Sequence, residues 1–312
     1  MSRKIKHSGF SNWTPDRLGD LGGKTYLITG GNSGIGREAA KMLGAAGGDI
    51  VIACRNPQKA AAAIDEIAAV AKGKVEDVTL DLASLASVRQ AAEEIKNRFG
   101  KLDALVNNAG IMQTPQLETA DGFEMQLGTN HLGHFLLAGL LFDRVEAAQG
   151  RIVVLSSIAH KYGKIHFDDL MLTKRYDPTT AYTQSKLANI LFAFELDRKL
   201  TAAGSSVSCI ACHPGYSDTQ LQSTGPAGFL NGLYKITNRL MAQSAKKGAI
   251  PTVLAAAGEE ALAGAYYGPT GFADARGPVG DASVAPRARN KKTAARLWQE
   301  SEKLVGFTWP RP

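Results

Sequence analysis

Short runs rich in Val, Ile and Leu alternate with alanine-rich runs of helical length along most of this chain. The short runs have the length and composition of buried strands, and most are followed by a segment long enough to form a helix. This alternation predicts a parallel sheet with helices on both faces. The predicted strands are residues 24–30, 49–55, 75–82, 104–110, 151–157 and 207–214, with a shorter strand at 265–267.

Right-handed crossovers turn such a pattern into a doubly wound α/β fold. No shift in composition divides the 312 residues, so a single domain is predicted. The predicted helices are residues 36–46, 57–72, 84–99, 122–148 and 182–203. Irregular structure is predicted where Gly, Pro and polar residues gather, at 1–22 (an N-terminal extension), 158–180, 216–245 and 268–290.

The net charge of +7 does not indicate a nucleic-acid site. The excess of Lys and Arg lies at the two ends, in residues 1–24 and 275–312, and the middle of the chain is close to neutral. The basic run at 287–292 is typical of a solvated helix start. No apolar run is long enough to cross a bilayer, so no membrane span is expected.

A glycine-rich turn, TGGNSGIG at 29–36, joins the first predicted strand to the first predicted helix. Small residues at such a turn let the backbone approach phosphate oxygens, and the helix N-terminus supplies free N–H groups. In this context the turn predicts a dinucleotide site, although a plain strand-to-helix turn is the simpler interpretation.

The end of the second strand favours NADP(H) over NAD(H). An NAD enzyme usually carries a carboxylate there for the ribose 2′-hydroxyl. Here the position is Cys54, and Arg55 follows it with a guanidinium suited to a 2′-phosphate. Arg37 is predicted to be a solvated helix cation. Asp81 fits two roles equally, a partner of the adenine amino group or a turn aspartate.

Tyr182 and Lys186 lie four residues apart on one predicted helix, so they share a face. A nearby ammonium favours the phenolate form, as does an oxidised nicotinamide, and both would lower the pKa of Tyr182 towards the working pH. A phenol with such a pKa suits acid–base catalysis. The pair therefore predicts proton transfer at a substrate oxygen.

Cysteine and histidine pairs give only weak signals for a metal, and none is predicted. Cys209 and Cys212 fall in a predicted strand, where residues three apart face opposite ways. His131 and His134 lack an acidic or Cys partner, which indicates core or interface histidines. The low, odd number of cysteines, three with Cys54, fits a reducing compartment and predicts a cytoplasmic protein.

Apolar residues recur at helical spacing in the segment 216–250. Such an amphipathic stretch fits a substrate lid, and nearly as well an interaction surface. An apolar lid would favour a lipophilic substrate.

These motifs together resemble the short-chain dehydrogenase/reductase family in order and spacing, over about residues 22–220. The matching motifs are TGGNSGIG (29–36), Asp81-Leu82, NNAG (107–110), Asn130 in TNHLGHF, Ser157 in VVLSS, YTQSK (182–186) and HPG (213–215). The stretches ACRN, ADGFEMQLGTNHLGHFLL and SSIAHKYGKIHFDDL are similar to the retinol-dehydrogenase-like branch. That branch also has a long insertion between Ser and Tyr, and 24 residues separate Ser157 from Tyr182 here.

The resemblance implies a Rossmann-type sheet of about seven strands, NADP(H) as cofactor, and interconversion of a carbonyl and an alcohol. It implies that Ser157, not Ser156, steadies the substrate oxygen, and that Asn130 holds a water linking Lys186 to solvent. The implied cofactor contacts are Gly30, Asn32, Ser33, Gly34, Ile35, Gly36, Arg55, Asp81, Leu82, Asn108, Ala109, Gly110, Tyr182, Lys186, Pro214, Gly215, Ser217 and Thr219.

The resemblance leaves two oligomeric states open. Many family members pair through the helices that carry Asn130 and Tyr182, which implies a dimer or tetramer, whereas the retinol-type relatives imply that a monomer is also compatible with this chain. Residues 216–219 depart from the branch, so substrate identity does not transfer. The alternative function is a non-catalytic NADPH-sensing or scaffold protein, suggested by the basic C-terminal tail and the unusual lid.

Overall fold

The computed structural model describes residues 6–216 and 243–310. Within them, eight strands form one sheet in the order β3-β2-β1-β4-β5-β6-β7-β8. All neighbours pair in parallel except β7 and β8. The strands are β1 Thr25–Thr29, β2 Asp49–Cys54, β3 Val75–Thr79, β4 Ala104–Asn107, β5 Arg151–Leu155, β6 Ser208–Cys212, β7 Tyr266–Pro269 and β8 Val279–Asp281.

Helices cover both faces of this sheet. They are α1 Gly34–Ala45, α2 Pro57–Ala68, α3 Leu85–Arg98, α4 Met125–Leu127, α5 Gly133–Leu140, α6 Phe142–Ala147, α7 Pro178–Ala203, α8 Ala245–Ala257 and α9 Lys291–Val305. The single-domain, doubly wound prediction is confirmed. The strand order reverses between β1 and β4, and in such sheets that point opens a crevice at the carboxyl ends of the strands.

Local sequence explains where several helices begin. The side chains of Asn56, Asp177 and Asn290 each accept a hydrogen bond from a backbone N–H in the first turn of α2, α7 and α9. Pro57 and Pro178 occupy first helical positions, where a missing N–H costs nothing. The basic run before α9 is thus a capped helix start, as its sequence indicates.

The predicted continuous helix over 122–148 is wrong. The chain forms α4, then a π-helical turn at Gly128–Leu132, then α5, and it breaks at Leu141 before α6. A π-turn inserts one extra residue per turn and re-aims the side chains that follow. Here it carries Asn130, whose hydrogen bonds reach outside the helix, so tertiary contacts explain the irregularity.

An eighth strand was not predicted. β8 lies within 268–290, which the sequence presents as irregular, and it pairs antiparallel with β7 over only three residues. The N-terminal extension packs against it, because Trp13 donates a backbone hydrogen bond to Val279. The Trp13 indole N–H donates to Glu260, which also forms an ion pair with Arg17. The extension thereby covers the sheet edge.

The predicted lid segment 216–250 is too long at its C-terminal end. α8 begins at Ala245, and Ala249, Val253 and Leu254 are buried in the core beside α1 and the sheet. Residues 245–250 therefore belong to the fold itself. Residues 217–242 lie outside the described residues.

Side chains on the two faces of the sheet form two separate cores. Cys209 lies in one core and Cys212 in the other, as their spacing on a strand predicts. Both thiols are buried and unbridged, and among the described residues no group of three or more His, Cys, Asp and Glu could hold a metal. No helix in the described part of the chain has both the length and the apolarity to cross a membrane.

An aromatic cluster fixes the C-terminal helix α9 on α5 and α7. The Trp298 ring lies edge-on to Phe135 at 5.1 Å and stacks on Phe192 at 5.8 Å between centroids. Trp309 closes the cluster at 5.0 Å from Trp298. α9 therefore covers the outer side of the helices through which a dimer was expected to form.

Replacing Trp298 by alanine should lower the free energy of unfolding by about 3–5 kcal/mol, because a large buried ring leaves a cavity. Chemical denaturation measures this. The control is Gln299→Ala, at the exposed neighbour on the same helix. Equal losses in the two variants would contradict the assigned packing of α9.

Four histidines are buried in this fold. His131 pairs with Ser301 of α9 at 2.9 Å, and His134 with Thr29 at 2.8 Å. His160 pairs with the carbonyl of Ser157, and His213 accepts a hydrogen bond from Gly215. Burial lowers the pKa of His131 and His213 to about 3, and that of His134 and His160 to about 4.

These histidines make stability fall in acid. Below pH about 6.5 the histidines of the unfolded chain bind protons, whereas the buried histidines of the folded protein stay neutral. Their contribution to the free energy of unfolding is therefore fully present above that pH and is lost as the pH falls. His213→Gln should reduce this slope by up to about 1.4 kcal/mol per pH unit. Unfolding measured from neutral pH to pH about 4 tests this, with His7→Gln, at an exposed histidine, as control. An unchanged slope in His213→Gln would contradict the assignment.

Candidate active site

A cavity of about 740 Å³ opens at the carboxyl ends of β1, β4, β5 and β6. It lies at the point where the strand order reverses. Predicted site residues that line it are Gly30, Asn32, Ser33, Gly34, Ile35, Gly36, Asn108, Ala109, Gly110, Ser157, Tyr182, Lys186, Pro214 and Gly215. The structure thus brings the glycine turn and the Tyr-Lys pair, far apart in sequence, into one cavity.

The glycine turn is shaped by the loop after β4. Gly30 has a φ of 66°, in the left-handed region that favours glycine. A Cβ on Gly36 would stand 2.5 Å from the backbone oxygen of Gly30 and 2.5 Å from the side-chain nitrogen of Asn108, so only glycine fits there. Ser33 precedes α1 but its side chain forms no cap hydrogen bond, which leaves first-turn N–H groups of α1 for an anionic ligand.

Thr29 holds the two loops together. Its hydroxyl oxygen accepts hydrogen bonds from the backbone N–H groups of Asn108 and Ala109, both at 2.9 Å. The side-chain amide of Asn108 donates to the carbonyl of Thr29 at 2.7 Å. The NNAG motif is therefore fixed beside the glycine turn, and Asn108 acts at least in part as a support for it.

Asn130 is fully buried and all its described contacts are structural. Its carbonyl oxygen accepts from the N–H of Ile111 at 2.8 Å. Its amide group donates to the carbonyl of Ile111 and to the hydroxyl of Ser185, each at 2.9 Å. Asn130 thus joins the loop after β4 to α7. It does not line the cavity, and its expected role of holding a water stays a prediction.

Two neighbouring serines, Ser156 and Ser157, directly follow β5, and their hydroxyls have different hydrogen-bond partners. Ser156 is buried and donates to the backbone carbonyl of Lys186 at 2.8 Å. The Ser157 oxygen accepts a 3.2 Å hydrogen bond from the N–H of Ala159, and its hydroxyl also hydrogen-bonds with Tyr182 in the cavity. Ser157 is the better placed of the two to hold a substrate oxygen.

Tyr182 and Lys186 project from α7 into the cavity. The Lys186 ammonium lies 5.8 Å from the centroid of the Tyr182 ring. Burial raises the pKa of Tyr182, and a hydrogen bond with Ser157 offsets only part of this. Burial lowers the pKa of Lys186 to about 8. The expected lowering of the Tyr182 pKa is therefore not a property of the protein by itself.

Lys186 and Asn130 approach the same point of the backbone. A Cβ built on Gly110 would lie 3.3 Å from the Lys186 ammonium and 3.2 Å from the Asn130 carbonyl oxygen. A side chain at this position would crowd both groups, which explains a glycine in the NNAG motif. A residue with a Cβ here would require Lys186 or Asn130 to shift by a few tenths of an ångström.

Three predicted cofactor contacts lie outside the cavity wall. Arg55 is exposed at the end of β2, while Leu82 is buried. Asp81 accepts a hydrogen bond from the N–H of Ala83 at 3.0 Å, which is the turn role. Arg37 forms a 2.6 Å ion pair with Glu66. Ser217 and Thr219 lie outside the described residues.

Sequence reasoning missed part of the cavity wall. Phe272, Ala273 and Ala275, in the connection between β7 and β8, line the cavity, as do Ile158 and Ala159. No periodic pattern or motif marks Phe272, Ala273 and Ala275 in the sequence, because a connection distant in sequence brings them to the site. Ile158 and Ala159 follow Ser157 directly, so their place in the wall comes from the start of the 3₁₀ helix after β5.

Comparison with known proteins identifies the family to which these motifs belong. The short chain dehydrogenase family model matches residues 24–228. Human retinol dehydrogenase 13 is 42% identical over 298 residues, covering 92% of this chain and 86% of the relative.

Two solved structures illustrate the shared fold. An uncharacterized protein from Mycobacterium paratuberculosis is 39% identical, with a TM-score of 0.81 and coverage of 96% of this chain and 100% of that one. A short chain dehydrogenase from Burkholderia cenocepacia in complex with NADP is 27% identical, with a TM-score of 0.60 and coverage of 79% and 96%.

The family model spans more than half of the chain, and its motifs are those that meet in the cavity. The identity to retinol dehydrogenase 13 extends over nearly the whole fold. The chain is thus an oxidoreductase of the short-chain dehydrogenase family, and within that family it is retinol-dehydrogenase-like.

Proposed function

We propose that this protein interconverts a carbonyl and an alcohol on a lipophilic small molecule with NADP(H), through Ser157, Tyr182 and Lys186. The observation that carries the proposal is their meeting in one cavity with the glycine turn. The relatives named retinol dehydrogenases support the alcohol and carbonyl chemistry. The apolar side chains of Ile111, Met112 and Ile158 in the wall support a lipophilic substrate.

In this mechanism the protein supplies position and protons, and a bound nicotinamide cofactor supplies or accepts the hydride. The Ser157 hydroxyl donates a hydrogen bond to the substrate oxygen and orients it. The Tyr182 hydroxyl gives a proton to that oxygen in reduction and takes one in oxidation. Ser157 and Tyr182 interact with one another, so both can reach the same oxygen.

The pKa shifts bear on the direction of proton transfer. Because burial raises the pKa of Tyr182, the phenol is neutral at physiological pH and holds the proton that a reduction consumes. Oxidation needs the phenolate, which nearby positive charge favours. Lys186, with a pKa of about 8, still carries most of its charge at neutral pH. Its ammonium lies 5.8 Å from the centroid of the Tyr182 ring, so it is placed to favour the phenolate.

Replacing Tyr182 by phenylalanine should lower turnover about 10²- to 10⁴-fold, because the proton donor is lost while the ring remains. NADPH consumption with a panel of apolar ketones and aldehydes measures this. Tyr162→Phe, at an exposed tyrosine, is the control and should keep full activity. Retained turnover in Tyr182→Phe would refute the mechanism.

The proposed preference for NADP(H) rests on Arg55. Its guanidinium is exposed and forms no ion pair with any described residue, whereas Arg37 is paired with Glu66. The end of β2 carries Cys54 in place of the carboxylate that would repel a 2′-phosphate. The Burkholderia cenocepacia relative, solved in complex with NADP, is consistent with this preference.

Arg55→Ala should weaken NADPH binding about 10- to 100-fold, since hydrogen bonds to a charged phosphate contribute about 1.5–3 kcal/mol. NADH binding should not change. Calorimetric titration of both cofactors measures this, with Arg37→Ala as the control. Equal affinity of the unaltered protein for NADH and NADPH would reverse the cofactor assignment.

The alternative, a non-catalytic NADPH-sensing or scaffold protein, finds no support in the site. Ser157, Tyr182 and Lys186 are all present and line one cavity. A cytoplasmic location stays a prediction, as does the absence of nucleic-acid binding. We infer that a homo-oligomer would use another surface than α5 and α7, since α9 packs there.

A further inference from the structure

An exposed phenylalanine stands at the cavity wall. Phe272 lies between β7 and β8, and 72% of its surface is exposed although it lines the cavity. The wall near it contains Ala273, Ala275, Ile158 and Ala159. A large apolar side chain held in water next to an apolar wall is where an apolar ligand gains most from contact.

The backbone that carries Phe272 is strained. Ala273 and Asp274 follow one another with φ of 51° and 61°, in the left-handed region that residues other than glycine seldom adopt. Such conformations persist only where the surrounding contacts impose them, and they cluster at functional sites. The position of Phe272 is thus held by the structure around it.

A polar cluster holds this strained segment. The Lys161 ammonium lies 2.6 Å from the Asp274 carboxylate and 2.7 Å from the Ser283 hydroxyl. Ser283 in turn donates to the same carboxylate oxygen of Asp274. Lys161 ends the short 3₁₀ helix that begins directly after Ser157. The segment carrying Phe272 is therefore tied to the segment carrying Ser157.

A second contact ties the segment to the other side of the cavity. The carbonyl of Ala275 accepts a hydrogen bond from the N–H of Tyr216 at 2.8 Å, directly after the HPG motif. The backbone that carries Phe272 is thereby placed by two parts of the site at once.

We propose that Phe272 determines substrate specificity by packing on the apolar part of the substrate that lies away from the reacting oxygen. The ligand class is a ketone, aldehyde or alcohol with a long apolar substituent. This inference rests on the proposed function only for the end of the ligand that carries the carbonyl or hydroxyl group. The strained segment and Lys161 position the ring.

The test measures binding, not turnover. Tyr182→Phe protein saturated with NADPH is titrated with methyl alkyl ketones from methyl propyl to methyl nonyl ketone. Each methylene that becomes buried should tighten binding about fourfold, the equivalent of about 0.8 kcal/mol. In the Phe272→Ala variant this gain should stop at shorter chains, with about tenfold weaker binding of methyl nonyl ketone and unchanged binding of methyl propyl ketone and NADPH.

The matched control is Tyr162→Ala, because Tyr162 is 77% exposed, lies next to Lys161 and does not line the cavity. It should leave the dependence on chain length intact. Lys161→Met, which releases the strained segment, should weaken long ketones more than short ones. Unchanged length dependence in Phe272→Ala, equal losses for all ketones, or no binding of any ketone would overturn the inference.

These outcomes are separable from failure of the proposed activity. Binding that depends on chain length and on Phe272, in a protein whose intact form turns over no carbonyl or alcohol, would leave the inference standing and remove the proposed reaction. Turnover that depends on Tyr182 but not on Phe272 would do the reverse.

Discussion

The site depends on a chain of buried hydrogen bonds that starts at the hydroxyl of Thr29. That oxygen fixes the loop after β4 beside the glycine turn, and it contacts His134 at 2.8 Å. His134 also contacts the backbone carbonyl of Asn130 at 3.0 Å, and the Asn130 amide donates to Ser185 on α7. Ser185 donates to the carbonyl of Tyr182 at 2.8 Å. The glycine turn and Tyr182 are thus positioned by one network, which is costly to break because its members are buried.

Burial also sets the electrostatics of this network. Away from water, neutral forms are favoured, so the pKa of Tyr182 is raised and those of Lys186 and His134 are lowered. In the protein alone Tyr182 is therefore a neutral phenol, and the buried histidines are neutral hydrogen-bond partners. The phenolate that oxidation requires then depends on positive charge brought to the site. Burial thus acts in the same way on the histidines that support the fold and on the tyrosine to which we assign proton transfer.

Local signals in the sequence were enough for most of the framework. The seven parallel strands, the glycine turn and the Tyr182–Lys186 helix face depend on spacing within short segments, and the structure has them where expected. Three features differ from the prediction: the helix over 122–148 is interrupted, strand β8 is additional, and the lid segment ends earlier in the chain. A π-turn built around Asn130, an edge strand of three residues and a core helix from Ala245 depend on partners distant in sequence, so no local pattern announces them.

The sequence by itself determined the fold class, the family and the residue types at the reacting end of the site, because periodicity and short motifs encode them. Tertiary structure decided which of two serines presents its hydroxyl to Tyr182, how α9 covers α7, and where Phe272 lies. It also decided that burial raises the pKa of Tyr182 in the protein alone, so the lowering expected from the sequence depends on positive charge brought by the cofactor. All four features are set by burial and by contacts across the fold, and none of them is a property of a short stretch of chain.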